Sequence, residues 1–269
     1  MTSPRKTWTG RNETDALAVA RLTARDAAAL GPVRGDGLPQ QLKVLTEHRD
    51  NLLLQRTRVL NQLHAHLAAL RTVHAPAVGP LKKPSALTYW AHLELAGVDA
   101  LTRHRLLIVR QLAALALTFE PLVAALDAEL ARLTAEAATP LVGLCGASHL
   151  TAAKILGEVG DVTRFATPAK FAAYCGVAPI EASSGPRVRH RLNRRGNRQL
   201  NRAIHTVALV QRRWEPRAKV FFARKIAEGK TKREPVRSLK RALANVIYRL
   251  LAPDRRFAIP TVLPNAALT

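Results

Sequence analysis

The sequence predicts a mainly α-helical protein in three parts, spanning residues 1–75, 76–138 and 139–269. Three observations predict it. Leucines recur at spacings of three, four and seven along two long stretches. No strand–turn–strand pattern shows in the second of those stretches. From Thr139 the character of the chain changes, as glycines and then arginines take over. With 269 residues, 48% of them hydrophobic, the chain is long enough to bury a sizeable core, which argues against wholesale disorder.

The first element is a short helix over Asn12–Leu22, with Leu17, Ala20 and Leu22 as its apolar positions. Gly31–Pro39 breaks it. A long helix follows from Gln40 to about Val73, carried by Leu42, Leu45, Leu52, Leu53, Leu60, Leu63 and Leu67 and punctuated by Arg49, Arg56 and Arg58. Pro76, Pro80 and Pro84 mark a linker.

Ala86–Leu133 is helical again, with Leu101, Ile108, Leu112, Leu115, Leu122, Leu126, Leu130 and Leu133 at coiled-coil-like spacing. Pro121 is expected to kink this helix or divide it in two. The region reads as a helical hairpin serving as a dimerisation arm, or as a plain helical bundle.

Beyond Thr139, a glycine-bearing turn at 140–147 leads into a helix that Ser148 can cap. Helix, Gly-x-x-Gly turn and helix read either as a helix-hairpin-helix segment offering backbone N–H groups to a phosphate, or as an ordinary packing corner. Phe165, Phe171 and Tyr174 are expected core anchors. Gly196-Asn197 is a turn before a helix over Arg198–Val210, and Phe221–Leu251 reads as helix around a turn at Gly229.

The charge is large and uneven. The chain carries 42 Lys+Arg against 19 Asp+Glu, a net +23, of which +17 falls after residue 180. Such an excess, dominated by arginine, points to a polyanionic partner, most simply nucleic acid. Arg187, Arg189, Arg191, Arg194, Arg195, Arg198 and Arg202 are the candidate phosphate contacts. Aromatic residues are scarce at 4%, which speaks against an extended stacking platform for single strands. Cys145 and Cys175 cannot staple a secreted scaffold, and no zinc-type spacing or P-loop occurs. No stretch approaches 18 consecutive uncharged apolar residues, and the first eight residues lack an apolar signal core. The expectation is a soluble, cytoplasmic, nucleoid-associated protein with no membrane partner.

Ser183-Ser184-Gly185-Pro186 has turn composition, and its serines read as cap or loop residues unless the arginines after them hold a phosphodiester there. No general base stands out. His190 is near in sequence; His205 lies one helix on, where Ile204, Val207 and Leu209 fit a packed histidine equally well. Asp15 reads as a helix-capping residue or as a member of an acidic site.

Several blocks together resemble a known family. Leu141–Ala147, Phe165–Pro179, Ser183-Ser184-Gly185 and Asn193–Leu200, in this order and spacing, resemble the C-terminal half of the IS110/IS116/IS902-type transposases. Asn12–Leu22 is similar to the later part of the RuvC-like domain of those proteins.

The resemblance implies a DNA transposase or site-specific recombinase. In that family a RuvC-like centre binds divalent metal, Mg²⁺ being expected, and a serine nucleophile cuts and joins DNA. It also implies a structured non-coding RNA partner and a homo-oligomer. Carried over residue by residue, it assigns the nucleophile to Ser184, with Ser183 as the second choice, and the last metal-binding aspartate to Asp15. It makes residues 1–75 the remnant of an RNase H-like domain. The chain departs from the family pattern at Asn12, where an aspartate is expected, and the strands bearing the other acidic residues would precede Met1. The expectation is therefore a truncated copy, inactive alone. The alternative is a non-catalytic, salt-sensitive DNA- or RNA-binding remnant.

Overall fold

Periodic leucines and alanines, few strand-formers and well-placed caps give a helical protein. The computed structural model describes residues 9–26, 37–71, 80–181, 190–191, 196–231 and 233–252. The chain divides into two compact units, Met1–Gly37 and Leu38–Thr269. In the first unit the described residues form one helix, α1 (Thr9–Asp26), whose Leu17, Val19 and Leu22 are exposed.

The second unit begins with two long helices and a short one between them: α2 (Leu38–Arg71), α3 (Pro84–His92) and α4 (Ala100–Glu136). Leu52, Val59, Leu63, Leu67 and Leu70 of α2 pack with Leu87 and Trp90 of α3 and Val109, Ala113, Ala116 and Phe119 of α4. Thr102, Leu106, Val109, Ala113 and Ala116 recur at four and three, so they set the inward face of the first half of α4. Its small residues let α2 approach closely. Leu101, Ile108, Leu115 and Leu122, seven apart, are exposed instead. The expected break at Pro121 does not occur, since α4 runs through it. The break falls earlier, at Gly97 with φ +71°, and Asp99 then caps α4 by accepting from the Thr102 N–H at 3.0 Å.

One 18-residue window of α4 reaches a mean hydropathy of 1.7, and 28% of it is buried. By length and composition alone this helix is able to cross a membrane, whereas the sequence reading expected no membrane partner.

After α4 come a 3₁₀ turn (Pro140–Gly143), α5 (His149–Val159), a second 3₁₀ turn (Val162–Arg164) and α6 (Pro168–Tyr174). Ser148 caps α5 as expected, accepting from the Thr151 N–H at 3.4 Å. A short antiparallel pair follows, β1 (Ile180–Glu181) with β2 (His190–Arg191), and then α7 (Arg198–Trp214), α8 (Pro216–Ala227) and α9 (Arg233–Leu251). Helices α5, α6, α7 and α9 surround one core, in which Phe165, Phe171, Tyr174 and Tyr248 meet ring to ring at 5.0–5.5 Å.

Helix α2 also joins the two halves of this unit. Its Leu42 packs with Leu130 and Leu133 of α4 and Ala153 of α5. A Cβ on Gly157 of α5 would stand 2.8 Å from the Lys43 backbone nitrogen of α2, so only glycine allows this approach.

The expected remnant of a RuvC/RNase H-like domain is overturned. The described residues before 76 are the helices α1 and α2, and the one β pairing among the described residues is two residues long and lies at 180–191. A sheet that brings carboxylates together needs several paired strands. The leucine-rich sequence of α2 buries its apolar face against α3, α4 and α5 instead.

Candidate nucleic-acid interface

On either side of the arginine-rich segment the described chain is tied together. Glu181 pairs with His190 and Ile180 with Arg191. Below this pair the chain at Gly176, with φ +66°, presses against Gly196. A Cβ on Gly196 would come within 2.2 Å of the Gly176 Cα, so the crossing admits no side chain there.

Asn197 locks the crossing. Its backbone N–H donates to the Tyr174 carbonyl at 2.7 Å, and its Oδ1 caps α7 by accepting from the Leu200 N–H at 2.9 Å. Its Nδ2 donates to Glu158 Oε2 at 2.6 Å and to the Tyr174 hydroxyl at 3.2 Å. The Glu158 side chain is 4% exposed, and the Lys43 ammonium lies 3.9 Å away.

One turn further on, Asn201 Nδ2 donates to the Cys175 and Gly176 carbonyls, both at 2.9 Å, while its Oδ1 accepts from Lys240. The two sequence blocks ending at Pro179 and beginning at Asn193 are thus the two sides of one clamp.

The surface around the stem is positive. Arg198 and Arg202 are exposed on α7, and no carboxylate pairs with either among the described residues. Lys240 of α9 is 9% exposed and bonds to Asn201 rather than to an acid. Burial, and then the neighbouring Arg237, pull its pKa below the usual lysine range. Partial burial, and then Lys240, likewise lower the pKa of His205, which is exposed rather than packed. Burial pushes the Cys175 thiol up to about 12, making it an inert core residue.

The glycine turn before α5 packs on α7. A Cβ on Gly146 would meet Val210 Cβ at 2.9 Å, and the Cys145 carbonyl accepts from Gln211 at 3.0 Å. These contacts favour the packing corner over a phosphate-gripping hairpin. A shallow cavity of about 480 Å³ remains between this turn and α7. A cleft of about 260 Å³ beside it is lined by Arg49, Asp50, Lys154 and Arg202. There Arg49 pairs with Asp127 and Lys154 with Asp50, which leaves Arg202 as the cation without a described carboxylate.

Residues 138–223, which hold the turn, the clamp and most of α8, match the transposase family IS116/IS110/IS902. Over those residues the chain resembles that family. It is 36% identical over 130 residues to the insertion element IS110 uncharacterized 43.6 kDa protein of Streptomyces coelicolor, a match covering 47% of this chain and 32% of that protein. It is 28% identical over 290 residues to the insertion element IS900 uncharacterized 42 kDa protein of Mycobacterium paratuberculosis, covering 91% of this chain and 72% of that one.

The expected metal-dependent RuvC-like centre, and with it the reading of this chain as a cutting-and-joining enzyme, is overturned. Among the described residues no group of three or more His, Cys, Asp or Glu is placed to hold a metal. Carboxylates of the second unit are engaged one by one instead: Asp50 with Lys154, Asp127 with Arg49, Glu120 with Arg56, and Glu158 with Asn197. The Mg²⁺ expectation therefore has no convergent carboxylates among the described residues. Asp15 lies on α1, within the first unit, and its side chain is outside the described residues.

Ser183, Ser184, Arg187, Arg189, Arg194 and Arg195 also lie outside the described residues. Arg191 is placed by its backbone in β2. Sequence reasoning missed Glu158, Asn201 and Lys240, and took Asn197 for a turn residue only. The available signal was an asparagine just before a helix with another four residues later, a spacing that aims both side chains at one neighbour.

Proposed function

We propose that this chain is a non-catalytic, salt-sensitive nucleic-acid-binding protein. Its contact surface is the basic segment between β1 and α7 together with α7 and α9. The observation that carries the reading is the charge imbalance at the clamp: 15 lysines and arginines face three glutamates over residues 198–252. Two of those cations, Arg224 and Lys225, share Glu228. A clamp with a buried carboxylate at its root ties together the two ends of the segment that carries these arginines.

In this reading Arg187, Arg189, Arg191, Arg194, Arg195, Arg198 and Arg202 meet phosphates. DNA is the first expected ligand and a structured non-coding RNA the second. Binding measured by fluorescence anisotropy against salt is the test. Log affinity should fall linearly with log salt, and replacing Arg187, Arg189, Arg191, Arg194 and Arg195 by glutamine should flatten the slope by about 4.5, at about 0.9 per lost contact. Ser184→Ala should leave both affinity and slope unchanged. A slope near zero for the unaltered protein would reject the reading.

We also infer self-association through α4. Its exposed Leu101, Ile108, Leu115 and Leu122, spaced by seven, form a seam for a second copy. Light scattering on the full chain should report at least a dimer, and Leu115→Glu should lower the mass. A monomer at high protein concentration would overturn this.

A further inference from the structure

Trp214 ends α7 with 65% of its surface in water. Exposed single aliphatic residues are ordinary, but an indole is the largest apolar group a chain can leave uncovered. Its surroundings supply a reason. The Arg213 guanidinium lies 5.3 Å from the indole centroid. The Arg212 guanidinium lies 5.0 Å from the Phe222 ring, which orients that side chain against α8. Arg212, Arg213, Arg217 and Lys219 are all exposed here, with Glu215 the acid among them.

The corner between α7 and α8 therefore offers one exposed aromatic face inside a ring of cations. A ligand that matches it has a flat π surface next to negative charge. A nucleic-acid base beside its phosphate has both. In a duplex the base faces are already stacked on one another, so a protein indole reaches only a base outside the helix.

We propose that Trp214 is a stacking seat for one unpaired base of a nucleic acid, with Arg213 against the indole and Arg212 and Arg217 on the flanking phosphates. The proposal rests on the nucleic-acid reading above and narrows it to ligands with single-stranded segments. It assigns recognition of the unpaired region to a place apart from the clamped loop.

The experiment titrates the full-length chain with a short oligothymidine and, separately, with a long duplex fragment, following tryptophan emission and anisotropy together. All proteins carry Trp8→Phe, so that the fully buried Trp90 is the one other tryptophan and serves as a steady background. Oligothymidine should quench the exposed emission. Trp214→Ala should weaken oligothymidine binding about tenfold while leaving duplex affinity within twofold, and Trp214→Phe should recover most of the loss. Because no ionic contact is removed, the salt slope should be the same in all three proteins.

Equal losses for both ligands, or no loss for oligothymidine, would overturn the seat. So would a loss of self-association in Trp214→Ala, which would assign the indole to a second copy. If the unaltered protein binds neither ligand at low salt, the nucleic-acid reading itself falls. Binding to both ligands without discrimination by Trp214 sinks only this inference.

Discussion

Gly196→Ala is expected to destabilise the protein by about 3 kcal/mol or more and to weaken nucleic-acid binding with it. The added methyl would sit 2.2 Å from both the Cα and the nitrogen of Gly176 and 3.0 Å from the Cys175 carbonyl carbon. All three are backbone atoms, so no rotamer change makes room. The two strands of chain must separate. Separation breaks the Asn197-to-Tyr174 backbone bond and the two bonds from Asn201 to the Cys175 and Gly176 carbonyls.

Gly143→Ala is the matched control. A Cβ there meets nothing within 4 Å, and the cost should stay within about 0.5 kcal/mol. Urea unfolding of the three proteins checks this. Equal midpoints for Gly196→Ala and the unaltered chain would mean that the glycine crossing is not what closes the stem.

How much of this was legible beforehand depends on the distance over which each signal acts. Helix α2 could be read to within two residues of its ends, because seven leucines on one face repeat the helical period. The aromatic anchors were legible for a similar reason: Phe165 and Phe171 are apolar, large and flanked by caps, and both are buried.

Helix α4 was harder. Counting leucines finds the buried Leu130 and Leu133 but also picks out the exposed Leu101, Ile108, Leu115 and Leu122, while the buried register of the first half runs through Val109, Ala113 and Ala116. Alanine buries little area by itself, and its value lies in letting α2 come near, which only the packed pair reveals. The RuvC-like remnant rested on similarity of a single amphipathic segment, and an amphipathic segment does not say whether sheet or helix covers its apolar face. The clamp joins residues 39 apart in sequence, Glu158 and Asn197. No local pattern announces such a pair.

Asn197→Asp separates the two roles of Asn197, and its outcome runs against simple helix-capping expectations. As an N-cap, aspartate equals asparagine, so a residue that served only to start α7 would tolerate the change within a few tenths of a kcal/mol. The amide, however, also donates to Glu158 at 2.6 Å and to the Tyr174 hydroxyl at 3.2 Å. Aspartate has no hydrogen to donate at neutral pH, and it places a second carboxylate against one whose side chain is 4% exposed.

Asn197→Ala loses the cap and the donor together, at about 3 kcal/mol. Asn197→Asp keeps the cap but adds like-charge repulsion in a poorly solvated place, so it should cost at least as much. Adding Glu158→Gln should rescue the aspartate variant, because the glutamine amide can donate to the new carboxylate, and should do much less for the alanine variant. Thermal melts of the six proteins, the unaltered chain, Glu158→Gln, the two Asn197 variants and the two double variants, give both couplings directly. An Asn197→Asp protein as stable as the unaltered chain would reduce Asn197 to a cap. The buried Glu158 carboxylate would then be a passenger beneath the loop instead of the group that holds its base in register.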